Sequence, residues 1–144
     1  RQTLCGQAMF LGATTMLIAP DAKTLAYVKG RAKIALDPVY PDPDAQYERV
    51  VTIDVSALEP IVVIPPSPAN TRDLKDHAGT EVHTGYLGSC ASGRLEDLRI
   101  AAQVLKGRKL APGFQLHVVP TSQAIMSQAA REGLIETLVE AGKA

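Results

Sequence analysis

The chain has 144 residues, 46% of them hydrophobic and 21% charged, proportions that suit one ordinary domain and argue against intrinsic disorder. Fifteen Lys and Arg balance fifteen Asp and Glu, so no net field draws the chain toward nucleic acid or an anionic membrane. With no Trp and two Phe, a core must be assembled from Leu, Ile, Val and Ala, which favours α/β layers over an aromatic-rich β-sandwich.

A chain of this length is expected to bury roughly 68–70% of the surface its unfolded form exposes. The longest apolar runs, such as Ile61 to Ile64, fall far short of the ~20 residues of a membrane-spanning helix. Arg1-Gln2-Thr3 does not read as a charged-then-apolar leader. Two cysteines, Cys5 and Cys90, stand far apart with neither CxxC nor Cys/His zinc spacing, which points to a reducing, cytoplasmic setting. The first residue is not Met and the chain opens on a helix-like pattern, so an internal piece of a longer protein is expected.

The helical spacing of Leu4, Ala8 and Leu11 predicts a helix at the start, followed by an apolar stretch that Pro20 ends. Asp21 is the expected N-cap of a helix from Ala22 to Lys29, with Gly30 as a left-handed exit. The run DPVYPDPD from Asp37 to Asp44 reads as a linker, because each proline removes a donor and restrains its predecessor. Val50, Ile53 and Val55 predict a strand within 48–55, and Ile61 to Ile64 a buried strand. PPSPAN, from Pro65 to Asn70, reads as a stiff segment, and the charged stretch Thr71 to Gly79 as a surface loop.

From Val82 onward the pattern is regular. Val82 to Leu87 predicts a strand, and the small residues of Gly88 to Gly93 a turn into a helix capped by Ser92. Leu95, Leu98, Ala102 and Leu105 form that helix's apolar stripe, with Glu96 and Asp97 at its electropositive end and Lys106 near its exit. A second strand follows from Gln115 to Val119. Thr121 or Ser122 caps a helix to Arg131, and one more helix carries Leu134, Ile135, Leu138 and Val139. Strand, helix, strand, helix predicts a three-layer αβα fold on a mostly parallel sheet.

Cys90 is the leading candidate for chemistry. It lies where a strand delivers the chain to a turn, the edge at which α/β folds place ligands, and amides near a helix start favour a thiolate. Three readings stay open on the residues alone: a small residue packed in a tight turn, a nucleophile, or one ligand of a metal centre. A nucleophile needs a base, and nothing in the spacing of His77, His83 or His117 brings one to it. Arg94 suits a carboxylate, which its planar fork matches, or pairs locally with Glu96 or Asp97. Cys5 reads as a packing residue, and KGRK, Lys106 to Lys109, as a helix end.

The run YLGSCASGRLEDLRIAAQVLKGRKLAPG from Tyr86 to Gly113, with HVVPTSQAI and EGLIETLVEAG after it, resembles the aconitase family, and within it the branch of 3-isopropylmalate dehydratase large subunits and homoaconitases. That family reads G-S-C-T-N-G-R-x-E-D-L-R at this point. IVVIPPSPAN and TLCGQAMFLGATTMLIAPDAKTLAYVKG extend the likeness over essentially the whole chain. The resemblance implies an iron–sulfur hydro-lyase acting on a small hydroxy-carboxylic acid in leucine biosynthesis, with a [4Fe–4S] cluster held by three cysteines.

Cys90 matches the first cluster ligand; the other two belong to a C-x-x-C that in the family follows the last helix. The resemblance therefore implies that this chain alone is metal-free and inactive, while the complete parent carries the cluster and works with a separate small, swivelling-domain subunit. It also divides the chain into 1–47, the end of one aconitase-like α/β domain with its linker, and 48–144, the first part of the cluster-binding domain. Gly6 stands where the family usually has Asn, and Phe10 where it has Glu. Those departures motivate an alternative, a non-catalytic binding or scaffold domain on the same fold. A third reading is a cysteine-dependent hydrolase using Cys90.

Overall fold

The computed structural model describes residues 1–142. In chain order these form α1 (Gln2–Gly6), a 3₁₀ turn (Ala8–Leu11), α2 (Ala22–Lys29), β1 (Ile61–Val63), β2 (Thr71–Asp73) and a second 3₁₀ turn (Leu74–His77). They continue with β3 (Thr84–Gly88), α3 (Leu95–Leu105), β4 (Gln115–Val119), α4 (Gln123–Arg131) and α5 (Leu134–Gly142). The class is mixed α/β. β3 and β4 pair in parallel, from Thr84 opposite Gln115 to Gly88 opposite Val119, with α3 as the crossover. β1 and β2 form a separate antiparallel pair.

The core sits among the last three helices. Leu98 and Ala102 of α3, Ala129 of α4, and Leu138 and Ala141 of α5 are buried, Leu98 completely. Small alanines at these positions let the helices approach closely. Arg99 of α3 reaches Glu132, just past the end of α4, through two bonds: Nε to Oε2 at 2.8 Å and Nη2 to Oε1 at 2.7 Å. Such a forked guanidinium–carboxylate pair fixes orientation as well as distance. The Leu110 amide donates to the Ala141 carbonyl at 2.9 Å, tying the approach to β4 onto α5.

Several helix ends follow directly from sequence. Asp21 caps α2, its Oδ1 accepting from the Thr24 amide at 2.8 Å and from the Thr24 hydroxyl at 2.7 Å. These bonds, with Arg1 behind them, hold the Asp21 carboxyl well below the usual carboxylate range. Ser122 caps α4, its Oγ accepting from the Ile125 amide at 3.3 Å.

Other expectations are corrected. The opening helix stops at Gly6 and gives way to a 3₁₀ turn, which Gly12 ends at φ 72°. Gly30 leaves α2 at φ −80°, in the right-handed region, because the amides of Arg31 and Ala32 both still bond the Val28 carbonyl. The cap of α3 is Arg94, two residues later than Ser92. Residues 48–55 form no strand: none of the described residues pairs with them, and Val50, Val51, Ile53 and Val55 stay exposed. β1 does form, but as half of a two-stranded hairpin against which only the following 3₁₀ turn packs among the described residues, and Ile61 is 59% exposed. Its partner β2 and the 3₁₀ turn after it lie in the stretch expected to be a loop.

The expected burial is also corrected. The accessible surface is 11990 Å², where a compact monomer of this mass exposes about 7,100 Å². Large apolar side chains face outward throughout residues 34–63, and also in the first 17 residues, at Met9, Phe10, Leu11 and Leu17. Among the described residues no helix is long and apolar enough to cross a membrane.

Candidate functional site

The turn from Gly88 to Arg94 leaves the C-terminal edge of the parallel pair, and its shape is set by how closely it lies on β4. A Cβ built on Gly88 would stand 2.5 Å from the Val119 carbonyl oxygen and 2.9 Å from its Cβ. One built on Gly93 would run into the same oxygen, with Ser89 O at 2.7 Å and the Thr121 amide at 3.0 Å. Only glycine lets backbone meet backbone at both points. These two residues, read from sequence as turn glycines, are a close-approach requirement.

Hydrogen bonds then fix the turn from several sides. The Thr121 hydroxyl donates to the Ser89 carbonyl at 2.6 Å and the Thr121 amide to the Gly93 carbonyl at 2.8 Å. Thr3 of α1 donates its hydroxyl to the Ala91 carbonyl at 3.2 Å. Arg94 donates through Nη2 to the Cys90 carbonyl at 3.2 Å and through Nη1 to Gln2 Oε1. Its own amide donates to Asp97 Oδ2 at 3.0 Å, which seals the start of α3.

Cys90 itself is a free, exposed thiol at the crest of this turn. Its recorded polar neighbour is the Ser89 hydroxyl, 3.9 Å from Sγ. A small residue serving only to fill a turn would be covered; this sulfur is presented outward by a scaffold that is itself restrained. No histidine is among its hydrogen-bond partners in the described residues: His83 lies beside Glu81 at 3.7 Å, and His117 is on β4. Among the described residues the turn therefore presents an exposed thiol to which no histidine is hydrogen-bonded.

Arg94 is brought to this turn but pairs with neither Glu96 nor Asp97 through its side chain. Its guanidinium is spent on neutral oxygens, which leaves the positive charge uncompensated beside Cys90. Cys5 is half-buried in α1 and free. Gly6 and Phe10 are both exposed on the same N-terminal segment, Phe10 at 61%. Thr121, Gln2 and Thr3 escaped the sequence reading as site residues. For Thr121 a signal existed: parallel register opposite Gly88 and Val119 carries the residues after each strand to the same edge.

Residues 1–81 and 73–144 match the aconitase family (aconitate hydratase). The chain is 43% identical over 144 residues to the 3-isopropylmalate dehydratase large subunit of Heliobacterium modesticaldum, covering 100% of this chain and 34% of that protein. It is 44% identical over 142 residues to the 3-isopropylmalate dehydratase large subunit 1 of Methanopyrus kandleri, covering 99% and 34%. It is 44% identical over 144 residues to that of Pyrococcus furiosus, covering 99% and 34%. The chain thus spans about a third of the length of the curated relatives it matches. With its GSC turn, its parallel strand pair and a match over its whole length, this chain belongs to the aconitase family.

Proposed function

We propose that the chain forms part of an iron–sulfur hydro-lyase that dehydrates or isomerises a small hydroxy-carboxylic acid, with Cys90 as one thiolate ligand of a [4Fe–4S] cluster. One observation carries the reading: an exposed, unpaired thiol held at the crest of a turn that Thr121, Thr3 and Arg94 restrain. Cys90 offers a thiolate of the kind such clusters take, while no group of three His, Cys, Asp or Glu side chains gathers among the described residues. The remaining ligands in this reading come from other parts of the parent polypeptide.

A bound cluster of this kind supplies Lewis acidity toward hydroxyl and carboxylate oxygens. What this chain contributes is placement. Gly88 and Gly93 let the turn lie on Val119, Thr121 holds the Ser89 and Gly93 carbonyls, and Arg94 holds the Cys90 carbonyl. Arg94 in addition brings a guanidinium whose charge no carboxylate neutralises, suited to a substrate carboxylate arriving beside Cys90.

In this reading residues 1–47 end one α/β domain and 48–144 open the cluster-binding one, of which 143–144 lie outside the described residues. The relatives are named as large subunits, so a separate small subunit is proposed as partner. A second reading, a binding or scaffold domain without chemistry, draws on Gly6 and Phe10, which bring no polar side chain to α1 and its 3₁₀ turn beside the cysteine. Anaerobic reconstitution of the complete parent, assayed for dehydration of 3-isopropylmalate with and without the small subunit, decides between them. Turnover that Cys90→Ser abolishes supports the hydro-lyase. A loaded protein that binds hydroxy acids without turning them over supports the scaffold.

A further inference from the structure

A cleft of about 960 Å³ lies between the N-terminal residues, α2, the start of α3 and α4. Its size is that of small-molecule sites. Five cationic side chains line it: Arg1, Lys23, Arg31, Arg94 and Arg131. The opposing carboxylates are Asp21 and Glu96. In a chain whose formal charge is zero, this concentrates positive charge in one recess.

The partners of those cations sharpen the point. Arg1 meets Asp21 at 2.8 Å, so one acid is consumed by one base. Arg31 donates to the Tyr27 carbonyl at 2.8 Å and lies 3.7 Å over the Tyr27 ring. Arg131 donates to Gln128 Oε1 at 2.8 Å, and Arg94 to Gln2 and the Cys90 carbonyl. Lys23 has no recorded hydrogen-bond partner among the described residues. Arg31, Arg94 and Arg131 are therefore oriented by neutral groups, and neither they nor Lys23 form an ion pair among the described residues, which is how a protein holds guanidinium forks ready for an anion.

We propose that this cleft binds a small anion carrying several negative charges, of the phosphate or polycarboxylate class, at a site separate from Cys90. Cys90 does not line the cleft. Arg94 joins the two, since it lines the cleft while its Nη2 holds the Cys90 carbonyl.

Calorimetric titration of the full chain at low ionic strength tests this, with inorganic tripolyphosphate in one series and tricarballylate in the other. The expected result is saturable binding of at least one probe, weakened about tenfold or more in the Lys23→Gln/Arg131→Gln variant. Arg108→Gln/Lys109→Gln, whose residues are not among the cleft's lining, should leave binding unchanged. Binding of tripolyphosphate alone assigns a phosphate ligand, of tricarballylate alone a carboxylate one, and of both a site that reads multivalent charge. Arg131→Lys keeps the charge and should keep most of the affinity, should the double variant fold poorly. The inference is independent of the cluster: Cys90→Ser should bind the probes as before. Absence of binding by both probes overturns it, and so does equal affinity in the folded double variant.

Discussion

Two regions of this molecule answer the same physical demand differently. From Thr84 onward a parallel strand pair and three helices bury Leu98, Ala102, Ala129, Leu138 and Ala141 together, and every turn is tied by backbone or side-chain bonds. From 34 to 63 the chain is at least as apolar, yet Ile34, Val50, Val51, Ile53 and Leu58 stand exposed and the regular structure is a single short strand. Hydrophobic content alone does not make structure. A strand needs a partner edge and a covering layer, and among the described residues only Ile61–Val63 of the second region finds a partner edge.

That contrast can be broken by mutation. Leu98→Ala, at the fully buried centre of the helix layer, should cost about 2–5 kcal/mol, read from urea denaturation. Ile53→Ala, at 75% exposure, should change stability by no more than about 0.5 kcal/mol. Equal losses at the two positions would show that 34–63 is packed after all. Gly93→Ala should come next, at about 1–3 kcal/mol, because its Cβ meets the Val119 oxygen, Ser89 O and the Thr121 amide. Gly107→Ala, with open space around it but φ at 70°, should lose only the about 1 kcal/mol of a strained left-handed residue.

The smallest expected effect is electrostatic. Bonds from Arg99, then from Gln128, lower the Glu132 carboxyl from 4.5 to about 2. A carboxylate whose folded value is depressed stabilises the fold above its unfolded value, and that contribution is lost as pH falls through the folded one. Stability of the α3–α4 layer should therefore decline between about pH 4.5 and pH 2, and Glu132→Gln should flatten that decline in pH-dependent denaturation. An unchanged slope in the variant would remove the Arg99 pair from the account.

The fold was legible where local signals agreed with tertiary ones. Asp21, Ser122, Gly107 and Gly133 mark element ends in sequence, and α2, β4 and α4 lie where they predict. Alternation alone misled at Val50, Ile53 and Val55, because pairing is a long-range event that periodicity does not encode. At the site, the small-residue turn around Cys90 and its family likeness were legible. Its clamps were not: Thr121 is a plausible helix cap by itself, and Gln2 and Thr3 reach the turn only through the packing of α1. The helix start two residues past Ser92 has a local cause, the Asp97 carboxylate accepting the Arg94 amide.

The central claim is that the restrained turn presents Cys90 as a cluster ligand. Visible absorption of the anaerobically reconstituted complete protein, compared with its Cys90→Ser variant, tests it most directly. The account predicts a cubane band in the unsubstituted protein that the serine variant loses or shows only as a labile, substoichiometric remnant, with the fold intact by circular dichroism. A cluster of equal intensity and stability in both proteins would contradict it.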